Sequence, residues 1–520
     1  MPIIQQGSVN TTSLIVPDLY VQIVPPQNLV LNGVPTNVIG VVGTASWGPV
    51  NQPSIVSTMG DYARMFGSLS ARKFDMGTQV ATAVQQGAQN FRCVRVSDGT
   101  DTAATVVVPG TNASFTAIYT GSLGNSITVN LGPGTKPSTW LLSVTAPGIV
   151  PELYDGLAGN GADFWSSVSS ALASGTGTQR GPSQLVMLQS GGTTASPASF
   201  SLALGSTAPG TDGAATITVS NLIGQDGTIR TGMYACRGQG CGLVLLADAD
   251  DLTTWTTQAL FGLQEGVYVI LTTPAGDTIV NAIEAMNSAG LDSYSAKLML
   301  GDWLWWTDSV NGITRLVSPQ GFVAGRLANL SPEQSSLNKQ IYGVVGSQRS
   351  GTPTAGWNTG YSSAELALLL GAGIDVICNP QPAGSFWGVR GGLNTSNNPV
   401  TNGDNYTRLT NYIAATLAAG MGQYVGQVIN QNLFRQIRAT QLAFLNNMLG
   451  QGLLGSVDGT MPFSVICDTS NNPLSRTSLG YVQSDAQVQY QSINERFIVN
   501  VEGGQSVQVS VQTLPSGQIG

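Results

Sequence analysis

Apolar positions along this chain follow two periods, and the periods alternate in blocks. Residues 37–43 (NVIGVVG) form a continuous apolar run of strand length. Residues 57–66 (STMGDYARMF) follow with helical spacing behind a Ser57 or Thr58 cap. A helix is predicted over 77–90 and a second buried strand over 91–96 (FRCVRV). Strands apolar on both faces suit a parallel sheet covered by helices. From about Asp98 to about Arg230 short Val/Thr/Ile runs alternate with Gly/Ser/Thr turns, broken by one helical stretch at 163–173. This texture predicts a β-rich domain inserted into the first α/β unit. The α/β pattern then resumes, with strands at 243–247, 267–271, 296–300 and 374–378 and helices at 277–289, 320–330 and 362–370.

The last quarter carries two helical patterns, 406–419 and 432–449, with Gly450 placed as a left-handed helix end. Residues 463–467 (FSVIC) and 496–501 (RFIVNV) read as strands. Beyond a Gly503-Gly504 hinge, Val507, Val509 and Val511 alternate in SVQVSVQ, a strand with no evident partner in its own domain. At the other end Leu19, Val21 and Ile23 alternate in an arm bounded by Pro17, Pro25 and Pro26.

Composition narrows the class. Only 9% of the 520 residues are charged, against about 25% in ordinary soluble proteins. An uncharged polar surface suits a protein covered by other proteins, because like-charge repulsion would oppose close assembly. The same composition fits a solvent-exposed β-rich binding protein. The net charge is −8 with 20 basic residues and no basic run, which argues against direct nucleic-acid binding. No apolar stretch is long enough to span a membrane, and residues 1–10 lack a secretory pattern, so a cytoplasmic birthplace is expected. Five scattered cysteines do not form a disulfide framework.

The chain has no histidine, which removes Ser-His-Asp and Cys-His activation and every His-ligated metal site. Neither a phosphate-binding G-x-x-x-x-G-K-[ST] loop nor a G-x-S-x-G elbow occurs. The GQGLLG run at 450–455 follows a helix rather than a strand, so it reads as a helix stop. Cys236 and Cys241 (CRGQGC) form half a zinc knuckle or a redox pair at most; two unpaired cysteines in a Gly-rich turn is the favoured reading. Asp248, Asp250 and Asp251 lack a calcium-loop pattern and are assigned to a helix start. Trp303, Trp305 and Trp306 are assigned to a core or an interface. Arg408, Arg435 and Arg438 are candidate contacts for an acidic partner, with a solvated helix face as the alternative. A His-free hydrolase or transferase using Asp248 and Asp251 stays open as a second class.

Several motifs in order resemble the sheath proteins of contractile phage tails and related injection machines. They are YVQIVPP at 20–26, VIGVVGTASWGPVNQPSIVSTMGDYARMFG at 38–67, GSLGNSITVN at 121–130 and VSPQGFVAGRLANL at 317–330. GIDVI at 373–377, FWGVRGG at 386–392, RLTNYI at 408–413, FSVICDTSNNP at 463–473 and ERFIVNVE at 495–502 continue the series. The family's "WG-x-R-T-L" pattern stands here as WGVRGGL.

The resemblance implies an α/β multidomain fold with a carboxyl-terminal sheath core, extended terminal arms and an inserted β-rich outer domain. The expected layout is an arm at 1–25, the first α/β part at 26–97, the β-rich domain at 98–235, a middle α/β domain at 236–400, the sheath core at 401–502 and an arm strand at 503–520. It implies a non-enzymatic, cofactor-free subunit of a virion tail sheath, assembled in the host cytoplasm, that contracts to drive a tube through the host envelope. The implied partners are other copies in a helical homo-oligomer, an inner tube, baseplate and tail terminator proteins. Leu19, Val21, Ile23, Val507, Val509 and Val511 would exchange strands between subunits; Arg408, Arg435 and Arg438 would face the tube. A carbohydrate-binding or tailspike-like β protein is the competing expectation.

Overall fold

The computed structural model describes residues 3–6, 20–23, 31, 33–176, 180–351 and 360–501. Near the amino terminus β1 (Ile3–Gln6) and β2 (Tyr20–Ile23) pair in parallel, with Ile4 opposite Val21 and Gln6 opposite Ile23. The α/β unit opens with β3 (Ile39–Gly43), β4 (Ser54–Val56), α1 (Met59–Phe66), α2 (Met76–Gln85) and β5 (Phe91–Arg95). Thr58 and Asp61 form a reciprocal capping box at the start of α1, satisfying two otherwise orphaned amides. The helix expected over 77–90 stops at Gln85, because the chain turns at Gly87 with φ of 93°.

The next segment builds two antiparallel sheets. Its elements are β6 (Thr105–Val107), β7 (Ser114–Ala117), β8 (Thr128–Pro133), β9 (Trp140–Ala146), β10 (Ile149–Leu157), α3 (Gly161–Ser174), β11 (Val186–Gln189) and β12 (Phe200–Ala203). The sheet orders are β10-β9-β8-β12 and β11-β7-β6. They share a core of Phe115, Val129, Leu142, Tyr154, Phe164 and Trp165, a hydrophobic unit separate from the one under β3 and β5. Trp47, from the turn after β3, enters this second core and meets Tyr119 edge-on at 5.5 Å. Arg95, at the end of β5 and 0% exposed, donates to the carbonyls of Gly48, Thr120 and Asp212. Those hydrogen bonds stitch the β-rich segment to the sheet it interrupts.

After α4 (Val219–Ile223) the first sheet is completed by β13 (Leu243–Leu246), β14 (Tyr268–Thr272) and β15 (Ala296–Met299), with α5 (Trp255–Glu265) and α6 (Ile279–Ala289) between them. A three-stranded sheet of β16 (Leu304–Asp308), β17 (Ile313–Val317) and β18 (Val344–Ser347) carries the tryptophans, and α7 (Gln320–Ala328) lies between β17 and β18. Trp303 and Trp306 are buried as expected for core residues, while Trp305 is half-buried. Helix α8 (Ser363–Gly371) leads to β19 (Ile374–Asp375). The apolar run at 374–378 does not form one strand. Its second half, β20 (Ile377–Cys378), pairs with β21 (Gly388–Val389) instead.

The central sheet therefore has the order β19-β15-β14-β13-β3-β5-β4, parallel except for β4 against β5. Side chains alternate to opposite faces. Ile39, Val41, Leu245 and Ile270 pack under α2 and α7, while Val269, Leu271 and Leu298 pack under α5, α6 and α8. Helices α2 and α7 cross closely because α7 presents Gly321 and Gly325. A Cβ at Gly325 would stand 2.5 Å from Ala83 Cα. The chain ends its described part with α9 (Asp404–Met421), α10 (Gln431–Gly450), β22 (Phe463–Ile466), α11 (Leu474–Thr477) and β23 (Asp485–Val488).

One fully buried ionic cluster ties α9 to that sheet. Lys297 Nζ on β15 donates to Asp375 Oδ2 of β19 at 2.7 Å and to Asp404 Oδ1 at 3.1 Å, all three side chains being 0% exposed. Tyr268 of β14 donates to Asp404 at 2.6 Å, and the amide and hydroxyl of Ser336 donate to its other oxygen. The amides of Val376, Gly391, Gly392 and Leu393 satisfy Asp375. This explains the Gly391-Gly392 pair, since a Cβ on Gly391 would lie 3.0 Å from the carboxylate and Gly392 has φ of 66°. Burial by itself would lower the Lys297 ammonium, but the two carboxylates outweigh it and hold it above the usual lysine value. Burial likewise works to raise the Asp404 carboxyl, and Lys297, Ser336 and Tyr268 hold it low.

Two outcomes follow from these buried charges. Lys297→Met leaves two buried carboxylates uncompensated and should cost about 3–5 kcal/mol in urea unfolding. Asp75, which caps α2 and is 1% exposed, has its carboxyl pushed by burial up to about 6, against hydrogen bonds from Thr78. The folded state thus holds this proton more tightly than the unfolded chain. The group's stabilising contribution is complete below the ordinary carboxylate value and is lost as pH rises through about 6. That loss is on the order of 2–3 kcal/mol. Asp75→Asn keeps a capping side chain and should flatten this part of the stability–pH curve.

Candidate assembly surface

The last module folds because α10 is amphipathic. Its buried stripe, Leu433, Phe434, Ile437, Phe444, Leu445 and Met448, recurs at helical spacing, and Asn430 caps its start. Phe444, Leu445 and Met448 pack against Leu409 and Ile413 of α9, Leu454, and Phe463 and Val465 of β22, while Leu433, Phe434 and Ile437 pack with Cys467. Leu31 joins the same core, so the chain leading into β3 is anchored on the module formed by residues 404–490. Gly450 is the last helical residue rather than a left-handed cap; Gly452, with φ of 75°, makes the turn. The helix extends one residue further because Gln451 still donates to the carbonyls of Asn447 and Leu449.

Strands β22 and β23 pair only with each other, Phe463 opposite Val488 and Ile466 opposite Asp485. Among the described residues no third strand joins this sheet, so both outer edges are open. Past β23 the chain lies along α9: Tyr490 Oη meets Thr410 Oγ1 at 3.1 Å, and Asn405 Nδ2 donates to the Gln491 carbonyl at 3.1 Å. Tyr294, Tyr406 and Tyr490 stack edge-on at 5.7 and 5.8 Å. A groove of about 880 Å³ remains between α9 and this segment, bordered by Tyr406, Ile413, Leu417, Val488 and Tyr490.

The run at 496–501, expected as a strand, is not one. It has no ladder partner among the described residues, and Phe497, Ile498, Val499 and Val501 stand exposed, Phe497 by 81% and Val501 by 86%. High β-propensity produces a strand only when an edge is available to pair with. Further exposed apolar side chains crowd the same module, Val425 and Val428 between the helices and Leu474, Leu479 and Tyr481 between β22 and β23. Such a concentration of exposed apolar groups marks a contact surface.

The candidate arginines separate. Arg408 is 4% exposed, and its guanidinium donates to the carbonyls of Leu330 and Ser331 at 2.7 and 2.8 Å, just past the end of α7. Burial pushes it down to about 10, opposed by Asp404 and Glu333. It bonds α9 to α7 and offers no charge at the surface. Arg435 and Arg438 both lie on the exposed side of α10. Val21 and Ile23 fall in β2; Leu19, Gly503, Gly504, Val507, Val509 and Val511 lie outside the described residues.

An enzymatic site would be sought where neighbouring strands of an open α/β sheet diverge, at the carboxyl ends of β3 and β13. There the chain fills its own crevice. Thr44 donates to the Phe74 carbonyl at 2.7 Å, Met76 donates back to Thr44, and a Cβ on Gly43 would stand 2.8 Å from Phe74 O. Asp248 accepts from the Phe74 amide and Gln79, Asp250 pairs with Lys73 at 2.8 Å, and Asp251 caps the turn at Thr253. Each carboxylate of the acidic run has a structural partner. Among the described residues no cluster of three or more Cys, Asp or Glu side chains is placed to hold a metal.

No protein-family model matches this chain, and no curated protein matches it. Solved structures do. A sheath tail protein from Desulfitobacterium hafniense aligns over 86% of this chain and 93% of its own, with a TM-score of 0.56 and 15% identity. One from Listeria innocua aligns over 84% and 90%, with a TM-score of 0.58 and 15% identity. The helical sheath of the anti-feeding prophage in its contracted state aligns over 94% and 99%, with a TM-score of 0.53 and 11% identity. The chain has the sheath-protein fold. Within that fold the chain after β23 runs along α9 and then past Lys339 and Arg390, which border a groove with Ile493, Glu495 and Phe497. Arg408→Ala should cost about 1–3 kcal/mol, because it strips charge-assisted hydrogen bonds from the carbonyls of Leu330 and Ser331. The double substitution Arg435→Ala, Arg438→Ala should stay within about 0.5 kcal/mol of the parent in the same unfolding assay.

Proposed function

We propose that this chain is the structural subunit of a contractile sheath that polymerises helically around an inner tube and contracts to drive it through a host envelope. The observation that carries the proposal is the open-edged β22–β23 sheet beside an exposed apolar segment, set in a sheath fold spanning nearly the whole chain. Exposed Phe497, Ile498, Val499 and Val501 have no reason to remain in water unless a partner covers them. Strand addition between copies supplies that cover, with main-chain hydrogen bonds giving affinity and alternate side chains giving register.

In this reading Leu19, Val21 and Ile23 of one arm, and Val507, Val509 and Val511 of the other, add to β22–β23 of neighbouring subunits. Gly503-Gly504 is the hinge. The groove between α9 and the 489–495 segment receives part of an arriving arm. Residues 401–502 are the sheath core, 26–97 and 236–400 the α/β body, and 98–235 an outer domain. Head-to-tail contacts that do not close into a ring propagate as a helix. Arg435 and Arg438, exposed on α10, face the tube; Arg408 is withdrawn from that role by its burial. Baseplate and terminator proteins meet the two ends of the polymer in a virion tail, assembled in the host cytoplasm.

Contraction is then a rigid-body repacking of subunits whose arms keep the lattice connected. No step is enzymatic: the subunit stores the difference between two packings, on the order of a few kcal/mol each. Removing residues 504–520 should leave folded monomers by circular dichroism and abolish striated tubes in negative-stain micrographs. Normal tubes from that deletion would refute the strand-exchange reading. Arg435→Glu with Arg438→Glu should leave sheath polymers intact while weakening co-sedimentation with the tube, and unchanged co-sedimentation would remove these residues from the contact.

A further inference from the structure

The CRGQGC turn plays no part in assembly as described, yet the fold places its two thiols together. Gly40 of β3 has no side chain, and the position a Cβ would take lies 3.1 Å from Cys241 Sγ and 3.2 Å from Cys236 Sγ. The neighbouring Cys241 thiol, together with burial, holds the Cys236 thiol well above its usual value. Between them Gly238 and Gly240 adopt φ of 74° and 68°, and the Gln239 amide donates to the Cys236 carbonyl, so the turn folds back on itself. Cys241 is half-buried and lines a cavity of about 330 Å³ together with Val34, Gly240, Val267 and Tyr412. Cys236 sits behind it at 3% exposure, and all five cysteines are free.

We propose that Cys236 and Cys241 form a redox-modification site that accepts a low-molecular-weight disulfide through this cavity and closes to an intramolecular disulfide. The Cys241 thiolate attacks one sulfur of the incoming disulfide, forming a mixed disulfide; the other half departs as a thiolate and takes up the proton Cys241 released. The Cys236 thiolate then attacks Cys241 Sγ, expelling the second small thiolate, which takes up the Cys236 proton. Two protein thiols are oxidised and one external disulfide is reduced to two thiols, so electrons and protons balance. Exposure sets the order: both cysteines border the cavity, but Cys241 is half-buried and Cys236 only 3% exposed. Cys93, on the neighbouring strand β5 and 0% exposed, is the competing partner for Cys241. The closed pair would tie the turn entering β13 beneath the chain at Thr36, whose carbonyl lies 2.7 Å from where a Cβ on Gly242 would stand.

The test treats folded full-length protein with oxidised glutathione, then denatures, alkylates and maps its peptides. The expected result is loss of two alkylatable thiols and an internal cross-link between Cys236 and Cys241, with no retained glutathione. Cys236→Ser should instead accumulate a stable glutathione adduct on Cys241, and Cys241→Ser should take up none. Five reactive thiols after treatment, a cross-link to Cys93, or a persistent adduct on the unsubstituted protein would each overturn the assignment. Phenylarsine oxide, which needs two thiols within reach, provides an arm without substitutions. It should protect this pair from maleimide, and absence of protection would also overturn the proposal.

Discussion

A lysine with no access to water decides how the two halves of this protein hold together. Lys297 lies between Asp375 and Asp404, and its three hydrogen bonds reach β19, the 391–393 turn and the first turn of α9. An ammonium in such a place is tolerable only when fully paired, because desolvation of the charge outweighs any single contact. Its partners come from β19, the 391–393 turn and α9, and those carboxylates are in turn satisfied by Tyr268, Ser336 and the amides of the same turn. Moving α9 by a fraction of its diameter would leave unpaired charge in the interior. The carboxyl-terminal module is rigidly registered to the α/β body for that reason.

A rigid body with an unfinished surface is the consequence. Arg408 adds a second tie from α9 to the end of α7, and Leu31 pins the incoming chain on the same helices. Against this firmness stand an open two-stranded sheet and a run of exposed apolar residues beyond it. The contrast suits the contractile role proposed for this subunit. The sheet's crevice at Phe74, Asp248 and Gln320, where α/β enzymes take ligands, is filled by the chain itself and adds only stiffness.

Much of the fold was legible in the pattern of the chain. Strands β3, β5, β13 and β14 are apolar on both faces, and helices α9 and α10 carry periodic stripes, so their positions follow from burial alone. The WGVRGG run was visible as a departure from a family pattern, but its role as an amide cradle for Asp375 was not. That role depends on a strand ending at Asp375, 16 residues before Gly391, and on a turn whose glycines matter only once the carboxylate is there. Arg408 misled for a similar reason. Helical spacing tells which residues share a face, and not which neighbouring carbonyls will cover it.

Residues 496–501 mark the division most clearly. Sequence by itself determined their preference for extended, paired backbone, through β-branched and aromatic side chains at high density. It also determined that this chain, with no histidine, has no Ser-His-Asp or Cys-His activation to offer. Whether those residues are paired was decided by tertiary structure alone. The fold directs the chain after β23 along α9 rather than back onto the β22–β23 sheet, leaving strand-forming residues unpaired. Propensity is a property of local side-chain sterics, whereas pairing requires a second backbone at the right distance, and only the three-dimensional path of the chain supplies or withholds it.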